Sequence, residues 1–334
     1  MNLLYLSCHS IAEFLEIKCF TDLGHDVISQ GTYNDPNNLG ADAARPKIVS
    51  PHLRYDPDLN PLAKLEWVTR IDPIPEKLID WADVILMHGI ERWLPVNWER
   101  IKRKHVVFRA NGQSVPHTES VLGKYRAQGL KVVRYSPLEA MIPGYCGADA
   151  LIRFYADESE FTGWNGAKAQ AITVAQAMLK RELYCKFSVF DAATKGLPRK
   201  VYGNSNEDLG DLWGGQLSYE DLKAVYRDNR VGVYTGTAPA QYTLGFMEMW
   251  CTGLPLVCAG PRLMGYGVET PYLIQSGVDG FVFDSTAKMH ETVERLLKHP
   301  DEAAAIGKAG RESAIRFFGY EKVKRNWKAF FDSL

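Results

Sequence analysis

The stretch that most constrains the fold covers residues 231–260, VGVYTGTAPAQYTLGFMEMWCTGLPLVCAG. Val231, Val233 and Tyr234 predict a short strand, and 235–243, with its three Thr, Gly236 and Pro239, predicts an irregular loop. An apolar helix carrying Glu248 follows. Gly253 just past its end and Pro255 beyond are stop signals, and 254–259 reads as the next strand. Glu248 stands among Phe246, Met247, Met249 and Trp250. An unpaired charge in such surroundings is costly, so the carboxylate predicts a dedicated partner. A sugar diol fits, because one carboxylate can accept both of its hydrogen bonds. The helix start at Thr243, Leu244 and Gly245 offers backbone N–H groups to a phosphate. One loop-helix unit can therefore hold a ribose and a diphosphate together.

This segment resembles the donor-binding segment of retaining glycosyltransferases of the GT-B fold, near glycosyltransferase family 4, the group 1 glycosyltransferases. Their pattern is a Glu, seven residues, and a second Glu opening an E-A-M-A-x-G-x-P-V-V-A run. Glu248 matches the second Glu and is followed by Met249, Trp250, Cys251, Thr252, Gly253, Leu254, Pro255, Leu256, Val257, Cys258 and Ala259. Ala240 stands where the first Glu is expected, a position near the donor sugar's hydroxyls in the family. IQSGVDGFVF at 274–283 is similar to the family's turn and strand after the donor site, and three helical segments follow it. Leu217, in LSYEDL, matches the segment whose backbone lines the nucleotide base. The resemblance covers roughly the C-terminal half.

Upstream, 2–7 reads as a buried strand, 11–23 as a helix and 27–29 as a second strand, the opening of a doubly wound domain. No G-x-G-x-x-G loop follows the first strand, which argues against a dinucleotide site there. Residues 32–60, rich in Pro, Asn and Asp, read as a long surface loop. Further strands are expected at 84–87, 106–109, 131–135 and 151–155, and a second β-α-β series begins at 171–174. The fold class expected is α/β, and the resemblance implies the GT-B plan of two Rossmann-like domains facing each other across a cleft. It places an acceptor domain at 1–165, a donor domain at 166–318 and a C-terminal helix, 319–334, packing back on the first domain.

Ligands in open α/β sheets bind at the carboxyl ends of strands. His88 ends one strand before Gly89. It reads either as a satisfied loop histidine or as the catalytic-site group that the family places near the sugar. His9 carries the same alternatives at the end of the first strand. Arg109, Asn111 and Gln113, in RANGQS, suit acceptor or sugar hydroxyls, the alternative being a turn that caps the next helix. Arg134 precedes Ser136-Pro137-Leu138-Glu139, which reads as a helix start with a capping box. The resemblance assigns the donor diphosphate to Lys180 and Arg181, with Lys195 as the alternative. Gly203 and Asn204 end another strand with room for close backbone approach.

The 334 residues suffice for two domains. A formal charge of −1 does not favour a DNA acceptor, although a hydroxymethylated base stays open beside saccharides, lipid-linked saccharides and small metabolites. Six cysteines without C-x-x-C spacing read as reduced thiols of a cytoplasmic protein, and neither a signal peptide nor a membrane span is expected. No cofactor is expected and no metal, since no D-x-D ends a strand. The co-substrate expected is a UDP-sugar, with a GDP-sugar as the second choice. The resemblance implies hexosyl or related transfer with retention. A GT-B nucleotide-sugar epimerase and a non-catalytic nucleotide-sugar binder are the competing readings.

Overall fold

The computed structural model describes residues 1–7, 9–29, 33, 45–54, 73–265 and 267–334. The chain divides into two compact units, Met1–Phe154 with Val323–Leu334, and Tyr155–Lys322.

The first unit alternates strand and helix as β1 (Asn2–Ser7), α1 (Ser10–Asp22), β2 (Asp26–Ser29), β3 (Leu53–Arg54), α2 (Glu76–Trp81), β4 (Val84–His88), α3 (Trp93–Ile101), β5 (His105–Arg109), α4 (Pro116–Arg126), β6 (Lys131–Arg134) and β7 (Ala150–Leu151). The strands form one sheet in the order β3-β2-β1-β4-β5-β6-β7, every pair parallel. Strands of such sheets are covered on both faces and read as continuous apolar runs, and Val84, Ile85, Leu86 and Met87 are all fully buried. The strand expected over 151–155 shrinks to Ala150–Leu151: the last bond to β6 is Ile152 N to Arg134 O at 2.8 Å, and Phe154 and Tyr155 beyond it are buried outside the strand. The capping box at Ser136 and Glu139 is present, heading a 3₁₀ turn, Pro137–Met141. Of the loop expected over 32–60, residues 33 and 45–54 are described, and they include β3 where loop alone was expected. The remainder lies outside the described residues.

The second unit contains β8 (Lys168–Val174), α5 (Glu182–Cys185), α6 (Phe187–Thr194), β9 (Arg199–Tyr202), α7 (Tyr219–Asp228), β10 (Asn229–Tyr234), α8 (Leu244–Thr252), β11 (Leu256–Ala259), α9 (Pro261–Met264), α10 (Thr270–Leu273), β12 (Phe281–Phe283), α11 (Thr286–Lys298) and α12 (Pro300–Phe318). Its sheet runs β12-β11-β10-β8-β9, again wholly parallel. Each unit has its own apolar core. The last helix, α13 (Tyr320–Phe331), begins in the second unit and ends in the first. There Trp327 and Phe331 meet the Phe20 ring edge-on, with centroids 5.0 and 5.3 Å away.

Among the described residues no helix is long and apolar enough to cross a membrane.

Candidate functional site

Parallel strands put all their carboxyl ends on one edge of a sheet. In the second unit that edge gathers the loops after β8, β9 and β10. They are tied together by backbone: Ala175 N donates to Tyr202 O at 3.0 Å, Ala177 N to Asn204 O at 2.9 Å, and Ala238 N to Tyr184 O at 2.9 Å. Asn206 completes the knot. Its Oδ1 accepts from Met178 N at 2.6 Å, and its Nδ2 donates to Ala175 O at 2.7 Å and Gly203 O at 3.1 Å. Gly203 has φ 120°, and a Cβ there would stand 2.4 Å from Ala175 O, so only glycine permits this approach.

The helix α8 rises from the same edge. Thr243 caps it, its Oγ1 accepting from Phe246 N at 3.4 Å. The Thr243 amide was expected to be open to a phosphate. It donates instead to the Tyr234 hydroxyl at 3.0 Å, since the cap turns back over the end of β10. Leu244 and Gly245 remain as first-turn donors that the helix itself cannot satisfy. Glu248, one turn on, is 4% exposed, and the Tyr226 hydroxyl from α7 lies 3.5 Å from its Oε2. At the far end Gly253 takes the left-handed φ of 89° expected of a helix stop. Burial pushes the Tyr234 hydroxyl above its ordinary range, so it stays protonated.

Leu217 directly precedes Ser218, which caps α7, its Oγ accepting from Asp221 N at 3.2 Å. Arg181 is half-buried at the start of α5, and its Nη1 reaches Gln176 O at 3.4 Å. Lys180 and Lys195 are exposed. The fold thus gathers Gly203, Asn204, Lys180, Arg181 and the start of α8 at one sheet edge. Sequence reasoning missed Tyr226 and Tyr234. Tyr226 follows Leu222 by one turn on the buried stripe of α7, and a buried tyrosine there needs a partner for its hydroxyl.

In the first unit the same topology aligns Ser7, His88 and Arg109 as register partners at the ends of β1, β4 and β5. His88 is fully buried, with Nδ1 3.1 Å from Ser7 Oγ and its ring stacked against Tyr5. Its Nε2 has no partner among the described residues. Burial first, then the nearby His9 and Arg109, holds its pKa well below the ordinary range, so the ring is neutral. Arg109 is also fully buried. Its Nε donates to Glu16 Oε1 at 2.7 Å, its Nη1 to Ile152 O at 2.6 Å, and its plane lies 4.2 Å over the Phe154 ring. Only Nη2 is uncommitted among the described residues.

Arg134, likewise buried, pairs with Glu119 and Glu139. His9 caps α1, its Nδ1 accepting from Ala12 N at 3.3 Å. Asn111 Oδ1 accepts from Gln113 N at 3.2 Å, the turn that the bland reading of this loop predicts, and Gln113 is exposed. Among the described residues no three His, Cys, Asp or Glu side chains converge as metal ligands would.

Residues 181–329 match the glycosyl transferase-like family. Sucrose-phosphate synthase from Thermosynechococcus elongatus shares the fold at a TM-score of 0.72, with 15% identity over 100% of this chain and 98% of that one. HepE from Anabaena, in complex with UDP-glucose, gives 0.72 with 14% identity over 100% of both chains. Residues 181–329 thus resemble a glycosyl transferase-like domain, within a chain of the GT-B fold. A glycosyltransferase from Rickettsia africae gives 0.68 with 11% identity over 99% of this chain and 98% of that one. Family match and GT-B architecture together support a glycosyltransferase. Among curated proteins no sequence matches significantly.

Proposed function

We propose that the protein moves a sugar from a nucleoside-diphosphate donor, a UDP-sugar in preference to a GDP-sugar, to an acceptor hydroxyl with retention at the anomeric carbon. The observation that carries this reading is Glu248, a carboxylate 4% exposed on a capped helix at the carboxyl edge of a parallel sheet. It would accept both hydroxyls of the donor ribose, and the backbone at Leu217 would meet the base. The amides of Leu244 and Gly245, with Lys180 and Arg181, would hold the diphosphate. HepE, of the same fold, is described in complexes with UDP-glucose and with UDP and glucose, which supports uridine. The family-4-like pattern around Glu248 supports transfer over epimerisation.

In the step proposed, the bond from the anomeric carbon to the diphosphate oxygen breaks and its electron pair leaves with the nucleoside diphosphate. The acceptor oxygen bonds to the same face, and its proton passes to the departing phosphate oxygen. Fixed cations and helix-end amides stabilise the charge that grows there. The first unit would take the acceptor, with His9, Asn111 and Gln113 at strand ends. His88, held neutral, would orient sugar or acceptor as a hydrogen-bonding group and not as a charge.

The test is calorimetric titration with UDP, GDP and their sugar conjugates, backed by thermal shift. A ligand at a hundredfold excess over its Kd stabilises the folded state by about 2.7 kcal/mol. UDP should bind, and Glu248→Ala should weaken it at least tenfold at unchanged fold. Glu248→Ala with wild-type UDP affinity would sink the donor assignment. Interconversion of the donor sugar without any acceptor would favour an epimerase.

A further inference from the structure

Arg311, on α12, has a place in this site that neither its sequence context nor the donor reading assigns. Its guanidinium collects three carbonyls: Nη1 donates to Cys251 O and to Phe161 O, and Nη2 donates to Glu158 O at 2.8 Å. Cys251 lies three residues after Glu248, and its carbonyl is one of the last four of α8, which no amide of the helix itself satisfies. Glu158 and Phe161 belong to the segment by which the chain runs into the second unit at Tyr155. That segment is fastened to the end of α12 and the start of α13. Ala156 N donates to Phe318 O at 3.0 Å, and Tyr320 N donates to Glu158 Oε2 at 2.9 Å.

The approach that lets Arg311 reach α8 is built in. A Cβ at Gly307 would stand 2.1 Å from Gly253 O, and one at Gly310 would stand 2.7 Å from Trp250 Nε1. Two glycines on α12 thus let it lie directly on the end of α8, and Phe317 stacks on Trp250. A cation at a helix carboxyl end is favoured in itself. Here it is a planar fork that no lysine can copy.

We propose that Arg311 is a positioning residue for the donor helix: it fixes the carboxyl end of α8 against segment 158–161, and so fixes where Glu248 stands. The inference rests on Glu248 binding the donor. Linkage makes it reciprocal: a nucleoside diphosphate that tightens α8 tightens 158–161 through Arg311.

The experiment uses the full chain, with UDP as probe, and follows hydrogen exchange and titration calorimetry for the wild type, Arg311→Lys and Arg311→Ala. In the wild type UDP slows exchange across 244–252 and also across 158–161. Arg311→Lys, which keeps the charge and the folded state, binds UDP about tenfold more weakly, within the ~5–150-fold range of coupled sites, and loses the protection at 158–161. A merely structural arginine would lower the melting temperature of its variants and leave the UDP affinity of the folded protein unchanged. Wild-type affinity in Arg311→Lys overturns the proposal, as does wild-type protection confined to 244–252. Failure of the wild type to bind UDP is a separate outcome: it overturns the donor reading and this inference with it, before any Arg311 variant is made.

Discussion

Arg109 stands at the end of a strand, where a ligand contact was expected, yet its geometry assigns it to the fold. Replacing it by Met keeps an unbranched side chain of similar reach and removes the guanidinium, with its charge and its place over the Phe154 ring. Glu16, 3% exposed, would then be left with Tyr5, whose hydroxyl lies 2.5 Å from its Oε2, and no cation. Breaking one side of a buried pair costs about 3–5 kcal/mol. The Ile152 carbonyl would lose its donor as well, a further ~1–3 kcal/mol. For a unit of this size each kcal/mol moves the midpoint by roughly 2–4 °C, so Arg109→Met should lower the melting temperature by on the order of 10 °C. Burial raises the Glu16 carboxyl pKa and the Arg109 charge opposes that rise. A carboxyl raised in the folded state contributes stability below its unfolded pKa and loses it as pH climbs through the folded value. Removing Arg109 raises it further, so the deficit should be larger at pH 8 than at pH 5. Adding Glu16→Gln should recover much of the loss. Calorimetric unfolding of the single and double variants measures all of this, with UDP affinity as a control. A variant within about 1 kcal/mol of the wild type that has lost turnover would refute the argument and return Arg109 to the acceptor site.

Other consequences are equally open to measurement. Burial raises the Glu119 pKa, but hydrogen bonds from Arg134, Ser114 and the Cys146 amide outweigh it and bring the carboxyl down to about 2. Stability should therefore be lost as pH falls from about 4.5 towards about 2, by on the order of 3 kcal/mol, and acid titration of Glu119→Gln should show a flatter curve. Gly203→Ala drives a methyl into Ala175 O and should cost at least ~1–3 kcal/mol while weakening UDP binding; denaturant unfolding with wild-type stability would contradict the knot around Asn206. The His88 ring should stay neutral from pH 8 down to pH 6, because burial disfavours its cation, and a protonated ¹⁵N signature at pH 6 would contradict this.

Much of the architecture is legible without coordinates, and the reason is local. Apolar runs such as 84–87, and stop signals such as Gly253, act over a few residues, so strand–helix–strand units declare themselves. The cap at Thr243 and the capping box at Ser136 and Glu139 are local in the same sense. Glu248 is legible because a lone carboxylate in an apolar helix demands an explanation.

What stays hidden depends on partners distant in sequence. Glu13 and Glu16 lie on a helix that reads as half polar, yet both are buried. Glu13 accepts from Ser29 Oγ and Tyr33 N, and Glu16 meets Arg109 and Tyr5, groups drawn from separate elements. The Thr243 amide looks free until the Tyr234 hydroxyl arrives from the preceding strand, and nothing local to Arg311 names the Cys251 carbonyl that glycines on α12 bring within its reach. The sequence by itself determined the periodic elements, the parallel α/β class and the acidic residue around which a donor site can form. Only the tertiary structure decided which charged side chains at the strand ends are buried and paired within the fold and which stay exposed. Burial and ion pairing are set by what packs from other elements, and no local pattern carries that information.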